Sequence, residues 1–580
     1  MKIIKLKINN EEVEGNEGET ILHVARKNSI KIPAACFHSD LEEAEMSCRL
    51  CLVSIVGRKG LHTSCSTLIE EGMEVITESP EIARARKINL ELMFSQHIKY
   101  CKGCVRNYYC RLLSLAKSCN IEISRFTDRK KGYPTYRFGP SLLFYTSKCI
   151  DCHDCVQVCR DQGVGFLEVE KKGTFMEVVP SKDKNKDCVY CGQCLLHCPS
   201  GSFDETDSVK KVERDLKNKN KYVVFQFAPS IRSSIGEEFG LDYGKVVTGQ
   251  LVAGIKKLGA NKVFDVSVSA DVTTIEEAGE LIERIEGNKT MPMFTSCCPS
   301  WVKYVEFYYP EFIPNLTSVR SPQIIMGGLI KTYFAKKENI DPKRIVVVSV
   351  MPCISKKYEI TREELRVDGI KPIDHVLTTR ELACMFKNHK IDLGCLIAEE
   401  ADTPWNHPSG AGVIYGSTGG VTESALRTAY EKMTGKKLGE LEFKTARGLN
   451  GIKEMSVDIE GKILKIAVVN GLGNAKKLLE RLKTNPKLYD YVEVMSCPGG
   501  CIGGGGQPMP IDKEIRKKRA EALYNIDSSQ EIRLAHENPA IKHLYEDFLN
   551  NKEVIHKICH THYSRKYRGK ISKTFKMIWN

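Results

Sequence analysis

Apolar and polar residues alternate at the start of the chain and give way to longer apolar runs further along. Between residues 4 and 8, isoleucine and leucine alternate with lysine, and Asn9-Asn10 follows as a turn signal, so a hairpin is predicted. Thr20 is a plausible N-cap for a helix over the run ILHVARKN. Residues 1–80 are therefore expected to form a small sheet crossed by one helix.

Beyond residue 80 the pattern divides the chain into three further parts. Residues 81–135 are mostly helical in pattern, and residues 136–205 form a compact block of cysteine repeats. Over residues 206–580, apolar runs such as YVVFQFAP, RIVVVSVMPC and YVEVMSC alternate with helical patterns, which indicates α/β layering with buried, mostly parallel strands. This part is longer than one core usually supports, so two lobes with a cleft are expected. The predicted fold class is multidomain α/β.

Composition places the chain among globular proteins of a reducing compartment. Its 580 residues, 42% of them hydrophobic, are enough for several domains. We find no apolar run long enough to span a membrane and no signal-peptide core at the N-terminus, which predicts a cytoplasmic protein without a membrane partner. Disulfides are rare there, so the 24 cysteines must be metal ligands, catalytic thiols or small buried hydrophobes.

The formal net charge of +13 would favour a nucleic-acid partner if it were taken alone. Clusters bound by thiolates carry negative charge, however, and would lower the net charge of the holoprotein to roughly +4. No nucleic-acid partner is therefore expected. The basic stretch over residues 563–576 is interpreted as a solvated tail rather than a docking patch.

Two cysteine runs with the same C-x2-C-x2-C-x3-C spacing give the strongest chemical signal. This is the spacing of bacterial two-cluster ferredoxins, in which the first three cysteines of each run hold one [4Fe-4S] cubane and the fourth ligates the other. Structural zinc, the alternative, takes four ligands per site and does not require a crossed array. The runs are Cys149, Cys152, Cys155 and Cys159, then Cys188, Cys191, Cys194 and Cys198.

Two more sets of potential ligands lie upstream of these runs. The first has a tight C-x2-C between two single cysteines, which favours a [2Fe-2S] site over a zinc ribbon with its two tight pairs. In the second, a histidine lies four residues, about one helical turn, before a cysteine and would complete a four-ligand set. The first set is Cys36, Cys48, Cys51 and Cys65, and the second is His97, Cys101, Cys104 and Cys110.

In the α/β part, three predicted strands end in cysteine. Ligand crevices of open α/β sheets lie beyond the carboxyl ends of the strands, so these thiols are able to converge on one buried metal. The glycine-rich run GGCIGGGGQP would let the backbone approach a bulky neighbour, because glycine has no Cβ. Buried structural cysteines remain the alternative. The thiols are Cys297, Cys298, Cys353, Cys497 and Cys501.

The segments TSCCPSW, MPCISKK and EVMSCPGGCIGGGGQP resemble the three signatures of the [FeFe]-hydrogenases. With the upstream cysteine sets, the resemblance covers essentially the whole chain and is closest to the large monomeric clostridial type with accessory iron-sulfur clusters. It implies an oxidoreductase that reversibly reduces protons to hydrogen. The implied partners are a ferredoxin or similar small electron carrier, and the maturation proteins that build the diiron unit.

The same resemblance implies the cofactors and their domains. The cofactors are one [2Fe-2S] cluster, three accessory [4Fe-4S] clusters and an H-cluster, in which a [4Fe-4S] cubane is bridged to a diiron unit with CO, cyanide and a dithiolate. Residues 1–80 would be a β-grasp [2Fe-2S] ferredoxin-like domain, and 81–135 a small helical domain whose cluster has one histidine and three cysteine ligands. Residues 136–205 would hold two [4Fe-4S] clusters, and 206–580 would be the two-lobed, parallel-sheet catalytic domain with the H-cluster.

The resemblance divides the five thiols of the catalytic part between two roles. Four of them hold the cubane of the H-cluster, and Cys501 also bridges to the diiron unit. Cys297 is left free beside the diiron unit and passes protons to its bridgehead amine. The four cubane ligands are Cys298, Cys353, Cys497 and Cys501.

A proton relay is implied beyond Cys297. It runs through Glu277, Glu280 and Arg284, whose i, i+3 and i+7 spacing places them on one helix face. Thr317 stands where the family has a serine and keeps the hydroxyl. Without the resemblance, this helix face would be interpreted as a solvated, salt-bridged surface.

Further residues are implied around the diiron unit, where hydrogen bonding and solvent exclusion tune a metal site. Lys356 would donate a hydrogen bond to a cyanide, and two methionines, Met351 and Met495, would pack on the unit. Three residues would line its pocket: Pro229, Ser230 and Gln323. Four cysteines match no ligand position and are interpreted as structural: Cys119, Cys384, Cys395 and Cys559.

Three other interpretations were weighed against this one. Subunits of NADH dehydrogenase and formate dehydrogenase share a similar N-terminal half but lack the C-terminal motifs. NGLGNAKK, over residues 470–477, has lysine where the nucleotide-binding pattern G-x-G-x-x-G needs its third glycine. Hydrogenase-like iron-sulfur assembly factors keep part of the catalytic domain as a binding module. The complete eight-cysteine block and the free Cys297 argue against that interpretation.

Overall fold

In the computed structural model, the strands of the described residues form five sheets. The described residues are 2–41, 46–95, 110–119, 121, 125–128, 130, 132–173, 175–287 and 289–574. His97, Cys101 and Cys104 of the predicted histidine-plus-three-cysteine set lie outside these residues. None of the helices in the described ranges is both long and apolar enough to cross a membrane.

The N-terminal part is built on a five-stranded sheet with the order β2-β1-β5-β3-β4. Its strands are β1 (Ile3–Ile8), β2 (Glu11–Asn16), β3 (Leu52–Ile55), β4 (His62–Thr63) and β5 (Glu74–Ile76), and its helices are α1 (Ile21–Lys27) and α2 (Pro80–Phe94). The hairpin predicted at Asn9-Asn10 is confirmed, since β1 and β2 pair antiparallel and both asparagines have positive φ. Thr20 is the N-cap of α1, as predicted, and its hydroxyl accepts a hydrogen bond from the His23 backbone N–H.

The next part of the chain, which includes the cysteine block, has three helices, one small antiparallel sheet and a separate two-stranded hairpin. Its elements are α3 (Arg111–Ser118), β6 (Thr135–Phe138), β7 (Leu142–Tyr145), α4 (Asp154–Asp161), β8 (Leu167–Lys172), β9 (Phe175–Pro180), α5 (Gln193–His197) and β10 (Phe203–Glu205). Phe144 and Phe203 stack across the sheet with ring centroids 4.3 Å apart. Helices α4 and α5 contact each other. Helix α4 carries Cys155 and Cys159 of the first run, whereas α5 carries Cys194 of the second run and ends just before Cys198.

Two further sheets form the remaining part of the chain. The first, ordered β12-β11-β14-β15, is entirely parallel, and the second, ordered β13-β18-β17-β16, is parallel except for β16. The buried, mostly parallel strands expected from the sequence are therefore present. The strands are β11 (Tyr222–Phe227), β12 (Lys262–Asp265), β13 (Met293–Phe294), β14 (Ile345–Met351), β15 (His375–Thr378), β16 (Ile452–Ile459), β17 (Lys462–Asn470) and β18 (Tyr491–Met495).

Helices surround these two sheets, and α8 is central among them. Asp265 caps its N-terminus and is held by a buried ion pair with Arg232, at 2.7 Å. The helix contacts α10, α14 and α15, so much of its surface is buried. The helices are α6 (Val209–Leu216), α7 (Thr248–Lys257), α8 (Val266–Glu286), α9 (Pro299–Tyr308), α10 (Pro322–Leu329), α11 (Ala335–Lys337), α12 (Lys356–Glu359), α13 (Thr379–Asn388), α14 (Gly410–Val413), α15 (Gly420–Thr434), α16 (Leu472–Thr484), α17 (Lys513–Ser529), α18 (Pro539–Asp547) and α19 (Lys552–Cys559).

The C-terminal segment returns to the cysteine block. Strand β19 (Ile571–Thr574) pairs antiparallel with β6 and completes the sheet β10-β7-β6-β19. Before it, Arg568 donates hydrogen bonds to the carbonyl oxygens of Ser181 and Asp183. We call residues 566–574 the C-terminal strap. The interpretation of this basic stretch as a solvated tail is wrong for these residues, because strand pairing and arginine contacts hold them on the cysteine block.

Candidate metal centre and proton path

The thiols of the α/β part meet in one pocket. Cys298 is the N-cap of α9, just after β13, whereas Cys353 and Cys497 each follow the last residue of a parallel strand by two positions. Burial raises the pKa of Cys353 to about 12, and the neighbouring Cys298 thiol contributes. The pKa of Cys501 is likewise raised, first by burial and then by Cys353 and Cys298. The structure therefore brings together four of the predicted thiols: Cys298, Cys353, Cys497 and Cys501.

Glycines allow protein backbones to pack closely beside this pocket. A Cβ on Gly505 would lie 2.8 Å from the Gly192 Cα, and a Cβ on Gly506 would lie 2.9 Å from the Pro352 carbonyl carbon. The bulky neighbour predicted for the glycine-rich run is thus backbone from the Cys353 loop and from the cysteine block.

The second ferredoxin run lies directly against the pocket. The Sγ of Cys497 is 3.9 Å from the carbonyl oxygen of Cys191. Gln193, two residues further along, donates a hydrogen bond to the Gly503 carbonyl at 3.3 Å. Burial raises the pKa of Cys191 to about 12, and charges on Cys353 and Cys298 add to the effect. A group bound at this run would therefore adjoin a group bound in the pocket.

Within the cysteine block the two runs are grouped in a crossed manner. The pKa of Cys155 is raised by burial and then by Cys149 and Cys198, so the last cysteine of the second run lies with the first run. The pKa of Cys194 is raised by burial and then by four thiols, of which Cys191 and Cys188 come first and Cys159, the last of the first run, comes next. This is the grouping that the two-cluster ferredoxin spacing predicts.

The N-terminal set forms two close pairs. The Sγ atoms of Cys51 and Cys65 are 3.3 Å apart, and the Cys48 backbone N–H donates to the Cys36 Sγ at 3.4 Å. Hydrogen bonding to Cys36 lowers the pKa of Cys48 to about 7, which favours the thiolate that binds metal. Of the second upstream set, Cys110 is described, and its Sγ accepts a hydrogen bond from the Leu113 backbone N–H.

Lys356 belongs to a buried polar network beside Cys297. Its Nζ donates to the Cys297 carbonyl oxygen at 3.1 Å and to Glu359 Oε2 at 2.9 Å. Gln323 donates to the same Glu359 oxygen at 2.7 Å. Burial alone would lower the pKa of Lys356, but Glu359 and the nearby thiols raise it overall, so the lysine stays charged. Glu359 was missed in the sequence, although its i, i+3 spacing from Lys356 was visible.

The predicted pocket residues are buried, and several have unused polar atoms. Ser230 Oγ and Gln323 Oε1 are buried without a hydrogen-bond partner among the described residues, and so is Ser355 Oγ. Met351 and Met495 are also buried, with 3% and 2% of their surfaces exposed. Pro229 is buried beside Ser230 in the turn that follows β11.

Glu277 lies close enough to Cys297 for its charge to affect the thiol. Burial raises the pKa of Glu277 to about 8, although a 3.0 Å hydrogen bond from Tyr491 opposes the shift. Burial also raises the pKa of Cys297, and the charge of Glu277 adds to it. Glu277 is only 1% exposed, so this face of α8 is not the solvated surface that its pattern suggests by itself. Tyr491, 214 residues away in the sequence, was not foreseen.

Glu280 is held by the other predicted relay residues. Thr317 Oγ1 donates to Glu280 Oε2 at 2.7 Å, and Arg284 donates to Oε1 at 2.6 Å. Burial would raise the pKa of Glu280, but the charge of Arg284 and these hydrogen bonds lower it overall. The structure thus brings together Glu280, Thr317 and Arg284. Ser318 and His560, which continue the network, were missed.

The remaining cysteines differ in their surroundings. Cys559 is buried, in agreement with a structural role, whereas Cys384 and Cys395 are exposed. Packing therefore does not explain the last two.

The glycine motif over residues 470–477 has a structural role instead of binding a nucleotide. The Leu472 backbone N–H at the start of α16 donates a hydrogen bond to Gln162 of the cysteine block at 2.8 Å.

Four protein families match successive parts of the chain. Residues 2–80 match a 2Fe-2S iron-sulfur cluster binding domain, and residues 148–202 match a 4Fe-4S dicluster domain. Residues 221–505 match the C-terminal domain of the iron-only hydrogenase large subunit. Residues 513–566 match the iron hydrogenase small subunit.

Relatives extend these matches to nearly the whole chain. Iron hydrogenase 1 of Clostridium pasteurianum is 39% identical over 570 residues, which are 96% of this chain and 99% of the relative. This chain belongs to the [FeFe]-hydrogenase family. The NADP-reducing hydrogenase subunit HndD of Solidesulfovibrio fructosivorans is 38% identical over 585 residues, 98% of this hydrogenase and 100% of the relative. Among solved structures, the apo [FeFe]-hydrogenase HydA1 from Chlamydomonas reinhardtii is 39% identical in sequence and superposes with a TM-score of 0.56. The match covers 62% of this chain and 99% of the HydA1 chain.

The ligand atoms that this [FeFe]-hydrogenase offers fit iron-sulfur cofactors and an H-cluster, which is where the family oxidises hydrogen and reduces protons. Thiols that raise one another's pKa do not ionise together unless bound cations compensate, and iron supplies that charge. Buried polar atoms are normally hydrogen bonded, so the unused Ser230 hydroxyl and Gln323 carbonyl indicate a partner outside the protein chain. The resemblance of the three cysteine segments to this family is confirmed.

Proposed function

We propose that this hydrogenase reduces protons to hydrogen reversibly with electrons from a ferredoxin-type carrier. The proposal rests on one observation: the pocket of thiols is adjoined both by the eight-cysteine block and by buried carboxylates. Cys191 lies against Cys497, and the charge of Glu277 contributes to the raised pKa of Cys297. Hydrogen chemistry consumes electrons and protons together, and this arrangement supplies a route for each.

In this proposal, four of the pocket thiols would hold the H-cluster cubane, and one of them, Cys501, would also hold the diiron unit. Their mutual effects on pKa support a shared centre. The crossed cysteine block holds two [4Fe-4S] clusters, and the N-terminal set holds one [2Fe-2S] cluster. A third accessory [4Fe-4S] cluster is assigned to His97, Cys101, Cys104 and Cys110. The corresponding domains are residues 1–80, 81–135, 136–205 and 206–580.

When bound, the diiron unit supplies the site where protons and electrons combine. The chain itself delivers the protons. Cys297 holds the innermost exchangeable proton, and Glu277 holds the next one, since its raised pKa keeps it protonated up to about pH 8. Among the described residues no direct hydrogen bond joins Glu277 to Thr317, so proton transfer between them requires a bridging water. Thr317, Glu280 and Arg284 continue the path.

The polar network beside the pocket has a separate role in this proposal. Lys356 remains charged and offers a hydrogen bond to a cyanide ligand, while Glu359 holds the ammonium group in position. Met351 and Met495 exclude water. Pro229, Ser230 and Gln323 line the space, and the unused atoms of the last two are available to the bound group.

A nicotinamide-reducing partner subunit is the second candidate for the electron partner. One relative that matches 98% of this chain is named as a subunit of an NADP-reducing hydrogenase. The chain's own glycine motif is unsuited to a nucleotide, because the N-terminus of α16 is packed against Gln162. Nicotinamide chemistry would therefore take place on another protein.

We also propose that maturation proteins build the diiron unit and that the enzyme works in the cytoplasm, where cysteines stay reduced.

Infrared spectroscopy of protein coexpressed with the maturation proteins tests the proposed function. We expect bands of metal-bound CO and cyanide, together with hydrogen evolution from reduced ferredoxin. Cys497→Ser removes a proposed cubane ligand and should abolish the bands, whereas Cys384→Ser, at an exposed thiol outside the pocket, should retain them. Matured wild-type protein without these bands would contradict the proposal. Activity with reduced ferredoxin and no other subunit would favour the ferredoxin-type carrier, whereas activity that requires an added nicotinamide-reducing subunit would favour the second candidate.

A further inference from the structure

A hydrogen-bonded chain leaves Glu280 in a direction that the predicted relay does not use. Glu280 Oε2 accepts from the Ser318 hydroxyl at 2.8 Å and from the Ser318 backbone N–H at 2.9 Å. The same hydroxyl lies 2.8 Å from His560 Nδ1. On the far side of the ring, His560 Nε2 lies 3.2 Å from Glu276 Oε2. The chain therefore links two carboxylates of α8 through a hydroxyl and an imidazole.

The backbone fixes His560 in this place. The Thr561 N–H donates to the Ser318 carbonyl at 2.8 Å, and the Arg320 N–H donates to the Cys559 carbonyl at 2.6 Å. The Arg320 side chain donates to the His560 carbonyl oxygen at 2.7 Å. Hydrogen bonds on both sides of the residue thus hold the imidazole against Ser318, so their contact follows from the fold.

His560 is better suited than Arg284 to exchange protons with solvent. The side chain of His560 is 17% exposed, compared with 9% for Arg284. An arginine guanidinium is not deprotonated in proteins, and that of Arg284 is already engaged by Glu280 and by carbonyl oxygens such as that of Leu316. An imidazole, in contrast, has two ring nitrogens and can take up a proton at one and give up a proton at the other.

We propose that His560 carries protons between solvent and Glu280 through the Ser318 hydroxyl, as a second outlet of the proton path. The inference rests on the proposed function. When a proton moves inward from solvent, the protonated imidazole gives its Nδ1 proton to the Ser318 oxygen, while the Ser318 hydroxyl gives its own proton to Glu280 Oε2. The imidazole becomes neutral, the carboxylate becomes a carboxylic acid, and no electron moves. A proton from solvent then recharges the imidazole.

Charged and titratable groups surround this outlet on several elements. Glu276 accepts a hydrogen bond from Tyr545 of α18, which keeps the carboxylate facing the imidazole. The ring of His556, one turn earlier on α19, stacks on His560 with centroids 5.8 Å apart. The groups that face the outlet are Glu276, Glu280, Arg320, Lys432, Tyr545, His556 and Cys559.

Three variants test the outlet in the matured enzyme. His560→Ala should lower hydrogen evolution at saturating electron donor by about tenfold, because a positioned proton-transfer group is lost, and added imidazole should restore much of it. His560→Asn can keep a hydrogen bond to Ser318 but cannot titrate, and it should show the same loss. His556→Ala alters the neighbouring ring outside the hydrogen-bonded chain and should stay within about twofold of wild type.

A second measurement does not depend on activity. In apoprotein with 15N-labelled histidine, Ser318→Ala should shift the His560 Nδ1 resonance, because the hydroxyl partner is removed. Wild-type activity in His560→Asn would overturn the proposal, since the imidazole would then only hold Ser318 in place. A matured wild-type enzyme without hydrogen activity would instead contradict the proposed function itself, so the two failures are distinguishable.

Discussion

Gly505 of the thiol pocket lies against Gly192 of the cysteine block, with no space for a side chain between them. A Cβ on Gly505 would approach the Gly192 Cα to 2.8 Å and the Cys191 carbonyl oxygen to 3.0 Å. The contact joins the two places where we assign clusters, so their separation depends on two residues that lack a Cβ.

Gly505→Ala should therefore push the cysteine block away from the pocket. We expect a loss of about 1–3 kcal/mol in stability, as for other overpacked sites, and slower hydrogen evolution from ferredoxin. Calorimetry and an activity assay measure the two effects. Gly439→Ala is a matched control, because nothing lies within 4 Å of a Cβ at that position. Equal behaviour of the two variants would show that the close contact is unimportant.

Cys297→Ser should nearly abolish turnover and leave the H-cluster assembled. A serine hydroxyl releases its proton far less readily than a thiol, and proton transfer by a positioned group contributes about 10²-fold or more. Infrared bands of CO and cyanide should persist while hydrogen evolution falls by at least that factor. Near-normal activity would remove the assignment of Cys297 to the proton path.

Thr317→Ala should slow proton delivery more mildly, by about tenfold, because Glu280 keeps its contacts with Arg284 and Ser318. Thr317→Ser restores the hydroxyl and should be close to wild type. The rates of hydrogen evolution in H2O and D2O measure the effect. An unchanged rate in Thr317→Ala would mean that protons bypass this hydroxyl.

Glu277 should titrate near pH 8, since burial raises its pKa to about that value. Its folded-state pKa lies above the ordinary value, so the proton is bound below about pH 8 and released above it. We expect an infrared carboxylic-acid band that is present at pH 6, fades near pH 8 and is absent from Glu277→Gln. Glu280→Gln should keep the band, because the pKa of Glu280 is lowered. A band lost near pH 4 would contradict the buried environment.

Local features of the fold were predictable from the sequence because their causes are local. The Thr20 cap, the Asn9-Asn10 hairpin and the crossed grouping of the cysteine runs depend on short spacings. Hydrophobic runs such as β14 also identified the buried parallel strands.

Contacts between distant segments were not predictable in the same way. Ser318 and His560 are 242 residues apart, and nothing near either residue indicates the other. The polar spacing of Glu277 and Glu280 is typical of a solvated helix face, yet tertiary packing buries Glu277 against Tyr491. Strand β19 is short and mostly polar, so the backbone pairing that places it beside β6 leaves little trace in its residue types.

The C-terminal strap determines where an added redox module would be delivered. Thr574 pairs with Thr135 at the edge of the sheet that supports the two ferredoxin runs. A light-driven donor attached to the strap would thus have its highest effective concentration around this electron-transfer block. Attaching such a donor there should favour electron injection into the block.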